Sequence, residues 1–292
     1  MYIYLDSKDL ISLAEYKSTV DPTNFINNLY KIQSFLIFSM HNIMECSAPL
    51  FRTCNTSNVM KMLNTIERMP HIYLAEARID LLELIEATSA FSEHREYMDV
   101  MPPFVNRFDY VISPFSKPET SIYFTYSLAN ILYDLWTVDI NPFSGHAQLA
   151  ARLQATLKIN RDRSDYKRHK SNFQNCVLKN LRLYKIKFPE SDVVKLSKWI
   201  YQSPKRCPAL RLGYEVFHKI LKNVTDKGED SDIPDFIHIS CLPYVDIMTL
   251  DNRMRGYIAQ VDESLGINYS AKLYKNIEEI QAFLDSGSPP CA

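Results

Sequence analysis

Four carboxylates, Asp6, Glu45, Asp235 and Asp251, stand where one kind of sequence pattern gives way to another. Asp6 closes a short apolar run at residues 2–5, and Asp251 closes another at residues 246–250. Each is followed by helical spacing. In a parallel α/β sheet, ligand sites form where strands end and crossover segments begin. Asp235 opens the helical stretch that precedes the second of these runs, and Glu45 lies in a helical stretch just after the apolar run 35–38. Four acids drawn into one cleft would hold one another protonated. A hard divalent cation, Mg²⁺ or Mn²⁺, relieves that repulsion because it takes oxygen ligands. The chemistry to expect is then metal-assisted hydrolysis, with a bound water made acidic by the ion. Singly, each acid has a plainer role. Asp6 suits a helix cap, as does Ser7 beside it, Glu45 a helix surface, Asp235 the first turn of a helix, and Asp251 a turn.

The elements that must position these acids follow from the hydrophobic period. Residues 2–5 and 35–38 predict strands, with helices from Asp9 onward and over 24–30. Between 57 and 90 the apolar positions Val59, Met62, Leu63, Ile66, Leu74, Ile79, Leu82 and Ile85 recur at helical spacing, which predicts two helices parted by Pro70. Pro102, Pro103, Pro114 and Pro118 mark a connector. Further helices are expected over 120–138, 147–157, 172–187, 192–201 and 210–223. Acids and a proline at 230–235 open the next helix, as helix N-termini prefer. A strand over 246–249 and a helix over 252–261 complete the pattern. The organisation expected is a core at 1–54 and 191–285, a large helical insertion at 55–190 and a tail at 286–292.

Composition sets outer limits. The chain has 292 residues, enough for a substantial core. Its 6 glycines leave little material for phosphate-cradling loops, and no G-x-x-x-x-G-K-[ST], G-x-G-x-x-G, H-E-x-x-H or G-x-S-x-G is present. The 6 cysteines contain no C-x-x-C, which sets aside zinc ribbons and thioredoxin-type chemistry and fits a reducing cytoplasm. The start, MYIYLDSKDL, lacks the form of a signal peptide. No apolar run is long enough for a membrane span, so a membrane partner is not expected. A net charge of −1 gives no global attraction to a polyanion. Phosphate contacts would have to be local. Lys205, Arg206 and Arg253, with Arg211 and Lys219, are candidates, as is the basic stretch 161–170. Each is equally well read as surface charge.

YLDS before an apolar helix, HNIMECSAP, and DFIHISCLPYVDIMTLDNRM together resemble the first, second and closing motifs of the PIN-domain ribonuclease superfamily. The resemblance covers roughly residues 1–50 and 200–285. It implies an α/β fold with a three-layer PIN-like core, a short central parallel sheet and the inserted helical region. It implies a metal-dependent endoribonuclease cutting phosphodiester bonds, with RNA as nucleic-acid partner and Mg²⁺ or Mn²⁺ as cofactor. Asp6, Glu45, Asp235 and Asp251 match the metal-binding acids, and Ser7 and Thr249 the hydroxyls that flank them. Asp246 is an extra acid that could join the ligands, and Asp230 and Asp232 crowd the start of the Asp235 helix. Phe236, His238, Cys241 and Pro243 depart from the family's pattern. A bacterial toxin or defence role, with a protein inhibitor as partner, is the natural setting for such a chain. The competing expectation is a catalytically silent PIN-like module that binds RNA or protein. The oligomeric state is not legible.

Overall fold

The structure, a computed structural model, describes residues 1–53, 56–75, 79–106, 146–162, 165–226 and 232–286. The helix expected over 120–138, most of the proline-rich connector, Asp230 and the tail from 287 lie outside them. The chain is α/β, built on a six-stranded mixed sheet. Along the chain come β1 (Tyr2–Tyr4), α1 (Ser7–Ala14), α2 (Pro22–Lys31), β2 (Phe35–Ser39), α3 (Met40–Thr53) and α4 (Thr56–Glu67). Then follow β3 (His71–Leu74), α5 (Ile79–Ser92), β4 (Phe104–Val105), α6 (His146–Asp162), α7 (His169–Leu183), α8 (Val193–Tyr201) and α9 (Pro208–Lys222). The last part holds α10 (Asp232–Cys241), β5 (Ile247–Thr249), α11 (Asn252–Leu265), β6 (Leu273–Tyr274) and α12 (Ile277–Ser286).

The sheet order is β4-β3-β2-β1-β5-β6, parallel except for β4. Strands covered on both faces read as continuous apolar runs rather than alternating ones, and Ile3, Tyr4 and Leu5 are all buried. One face (Ile3, Leu36, Phe38, Ile247) packs on Leu10, Phe25, Leu29, Leu63 and Ile280 from α1, α2, α4 and α12. The other (Tyr4, Ile37, Leu74, Met248) packs on Leu157, Val216, Ile220, Ile239 and Ile258 from α6, α9, α10 and α11. The result is three layers. A separate cluster, including Leu84, Phe173, Val177 and Leu196, joins α5, α7 and α8 to the start of α9.

Two expectations change here. Residues 57–90 hold the two expected helices, but β3 lies between them and pairs in parallel with β2, from Leu36↔His71 to Ser39↔Leu74. Leu74, which fitted the helical spacing, is a strand residue. With β4 added, the sheet draws on the chain as far as Val105, so the span 55–190 is not purely helical. At the other edge β6 and α12, absent from the sequence reading, extend the sheet beyond β5. The Asp235 helix ends at Cys241, one residue before a 3-10 turn that contains Pro243. Gly266 closes α11 with φ 66°, the left-handed conformation that glycine adopts without strain.

Candidate functional site

Strand order reverses at β1: β2, β3 and β4 lie to one side, β5 and β6 to the other. Such a reversal leaves a crevice beyond the carboxyl ends of the central strands. Asp6 sits there, one residue past Leu5, and its carboxylate accepts the Lys8 N–H (3.1 Å) as cap of α1. Its own N–H donates to Thr249 Oγ1 at the end of β5 (2.7 Å), which ties the two strand ends together.

Asn42, fully buried in the first turn of α3, clips β1 to β2. Its Nδ2 donates to the Leu5 carbonyl (3.2 Å) and to Ser7 Oγ (3.0 Å), and its Oδ1 accepts from Ser39 N (3.0 Å) and Ser39 Oγ (3.0 Å). One turn further along α3, Glu45 faces the same crevice. Its Oε1 lies 3.2 Å from Nε2 of His41. Burial would raise the Glu45 carboxyl, but hydrogen bonds from His41 and Ser7 outweigh it and hold the group down at about 2. Asp6 moves the other way. Burial raises it and the Glu45 charge adds to the rise, with Lys8 offsetting part.

His238 comes from α10 and is buried among Tyr4, His41 and Glu45. Burial pushes its imidazole down to about 3, so it is neutral at pH 7. Its Nδ1 bonds the Tyr4 hydroxyl, which also donates to Ser39 Oγ (2.8 Å). One ring nitrogen each from His41 and His238 and a carboxylate oxygen of Glu45 lie within 4.8 Å of one another.

Asp9, in the first turn of α1, is a further buried acid, only 6% exposed. Burial pushes it up to about 6, offset in part by the Thr249 hydroxyl and the Ile277 amide and reinforced by Asp6. Its Oδ2 is buried with no hydrogen-bond partner among the described residues. Two buried imidazoles and the Glu45 carboxylate are a donor set that fits a divalent cation.

The expected acids are therefore placed unequally. Asp6 and Glu45 share the crevice. Asp235, half-buried, lies one turn before His238 on the same face of α10. Asp251 follows β5 at its carboxyl end and caps α11, accepting from Arg253 N (2.7 Å) and Met254 N (3.1 Å). Asp246 is not brought to the cluster. It precedes β5 at the opposite end of the sheet, where its Oδ2 accepts the Tyr2 N–H (2.7 Å). Strand direction alone separates it from Asp251.

The basic candidates are largely committed elsewhere. Arg206 donates to the Trp199 carbonyl (2.7 Å) and stacks on the Trp199 ring (4.1 Å). Arg253 holds Asp226 with two bonds of 3.0 and 2.7 Å. Arg211 is buried against Glu215, and Arg161 caps the end of α9 through the carbonyls of Ile220, Leu221 and Asn223. Lys205 is exposed. Sequence reasoning missed Asp9, His41 and Asn42. The signals were present: Asp6 and Asp9 are spaced i, i+3, and His41, Asn42 and Glu45 fall on adjacent positions of one helix.

No family model, curated protein or solved structure matches the chain. No helix among the described residues is long and apolar enough to cross a membrane.

Proposed function

We propose that this chain is a metal-dependent nuclease that hydrolyses phosphodiester bonds, with RNA as substrate. The observation that carries the reading is the pairing of Asp6 with Glu45 at the crevice where strand order reverses, with Asp235 and Asp251 on the elements that border it. Asp6 and Glu45 would hold Mg²⁺ or Mn²⁺, with Asp251 and Asp235 next in reach. The bound ion supplies an acidified water and neutralises charge on the phosphate. Thr249 fixes the backbone at Asp6, and the Asn42 clip holds Ser7 against Glu45, so both acids are oriented before any ligand arrives. Asp9, three residues on, feels the Asp6 charge, which adds to the rise that burial gives it.

A second reading, a PIN-like module that binds RNA or protein without cutting, is favoured by the commitment of Arg206 and Arg253 to internal partners. Cleavage assays separate the two. Mixed RNA and single-stranded DNA are incubated with and without Mn²⁺, using the parent and Asp6→Asn. Metal-dependent loss of RNA in the parent, reduced by at least about a thousandfold in the variant, is the expected result, since a lost metal ligand removes several kcal/mol of transition-state stabilisation. Equal cutting by both proteins sinks the assignment of Asp6. No cutting by the parent, with RNA retained in a gel-shift assay, leaves the binding module.

A further inference from the structure

We infer that His41, Glu45 and His238 form a metal position that selects an imidazole-preferring transition ion, such as Co²⁺ or Zn²⁺, over Mg²⁺. The inference concerns which ion the crevice takes and stands whether or not the chain cuts RNA.

The first support is spacing. Ligands about 2.1 Å from one ion lie about 3 Å apart at right angles and about 4.2 Å apart when opposed. The three donor atoms lie within 4.8 Å of one another, and His41 Nε2 is 3.2 Å from Glu45 Oε1. The pair already 3.2 Å apart needs no adjustment, and a pair at the 4.8 Å limit must close by about 0.6 Å or more to share one ion.

The second support is the direction of the hydrogen bonds behind His238. The Ser39 and Asn42 backbone N–H groups fix Asn42 Oδ1 and Ser39 Oγ as acceptors, so the Ser39 hydroxyl proton points to Asn42 Oδ1 (3.0 Å). Tyr4 must then donate to Ser39 Oγ (2.8 Å), and its oxygen is left to accept from His238 Nδ1–H. That assigns the tautomer. Nε2 of His238 carries the lone pair, in the manner of ligating histidines whose second nitrogen is held by a polar partner.

The third support is ligand chemistry. Two imidazoles and one carboxylate suit borderline transition ions, whereas Mg²⁺ demands oxygen and keeps its waters.

The probe is Co²⁺, added to the full chain after treatment with chelator and followed by its visible absorption and by titration. One equivalent is expected to bind with a d–d band, while Mg²⁺ at a hundredfold higher concentration fails to displace it. His41→Gln should weaken Co²⁺ binding at least a hundredfold. Tyr4→Phe, which keeps the ring and removes only the hydroxyl, should weaken it ten- to a hundredfold, the usual effect of losing an outer-shell partner. Tyr4→Phe decides the matter if His41→Gln does not fold. Asp6 stands outside the triad, so Asp6→Asn should weaken Co²⁺ binding less than His41→Gln does, and its RNA cleavage, measured separately, tests the nuclease reading. Unchanged Co²⁺ affinity in His41→Gln and Tyr4→Phe, or displacement by Mg²⁺ at equal concentration, overturns the proposal. A His-dependent Co²⁺ site in a chain that cuts no RNA would instead sink the nuclease reading and leave this one standing.

Discussion

Single residues in this protein carry information of two kinds, and only one of them was readable in advance. Asp6 was legible as an acid that closes an apolar run ahead of a helix, and Glu45 as an acid in the helix that follows the second run. His238 stood out in the sequence only as a departure from the family's pattern. It is buried, and its partners are Tyr4 from the far end of the chain and the two α3 residues His41 and Glu45. No local spacing links position 238 to position 4. Glu83 was invisible for the same reason. It is fully buried on α5, where its carboxylate accepts from Ala209 N (2.7 Å), Leu210 N (3.0 Å) and the Tyr244 hydroxyl (2.5 Å), so it caps α9 from another element. Burial pushes it up to about 8 despite those bonds. A folded value above the unfolded one means that the native state binds the extra proton between pH 4.5 and about 8. Stability from this group is thus fully present below pH 4.5 and is lost as pH rises through 8, at no more than about 1.4 kcal/mol per pH unit. Glu83→Gln removes the titration. Urea melts at pH 5 and pH 8 should show a smaller loss in the variant than in the parent. An identical pH slope in both would mean that Glu83 does not titrate in this window.

At the scale of elements, sequence gave reliable helices and short, easily missed strands. The runs 2–5 and 35–38 were readable because strands covered on both faces need unbroken apolar residues. His71–Leu74 has the same role, but it follows α4 after only a few residues, and its Leu74 falls in step with the helical period on either side. A four-residue strand offers too few positions to reveal its own period. Helix starts were clearer, since a cap names itself. Asp251 shows how a cap and a candidate ligand can share one side chain, because its Oδ1 takes two backbone N–H groups of α11. Asn ranks with Asp as an N-cap, whereas Ala forfeits the bonds at a cost of about 1 kcal/mol. Thermal melts should therefore show Asp251→Asn close to the parent and Asp251→Ala lower by about 1 kcal/mol. If Asp251 is also a ligand, both variants lose metal-dependent cleavage. A folded Asp251→Asn that cuts RNA at the parental rate removes Asp251 from the site and leaves it a cap alone.

The whole molecule brings the two ends of the chain together. β1 to β4 come from the first 105 residues, and β5 and β6 from the last part, yet β1 is paired on one side with β2 and on the other with β5. The cluster at that junction takes His41 and Glu45 from the first segment and His238 from the second, with Asp6 and Asp251 at the ends of the strands β1 and β5. An ion bound there would bridge halves of the sheet that are separate in the unfolded chain. Such a ligand binds the native state alone, so it stabilises by an amount set by its concentration over Kd, about 2.7 kcal/mol at a hundredfold excess. For a chain of this size that corresponds to a rise in Tm of roughly 4–5 °C. The rise should be seen alike by far-UV circular dichroism and by tyrosine and tryptophan signals, because both halves are held at once. Glu45→Gln should lose most of it, since Glu45 is the one acid in contact with both the imidazole pair and the Asp6 charge. An unchanged Tm with Mn²⁺ at millimolar concentration, in a parent that melts cooperatively, would mean that the crevice holds no ion. The acids at the two chain ends would then be caps and strand-end charges, and the nuclease reading would fall with the site.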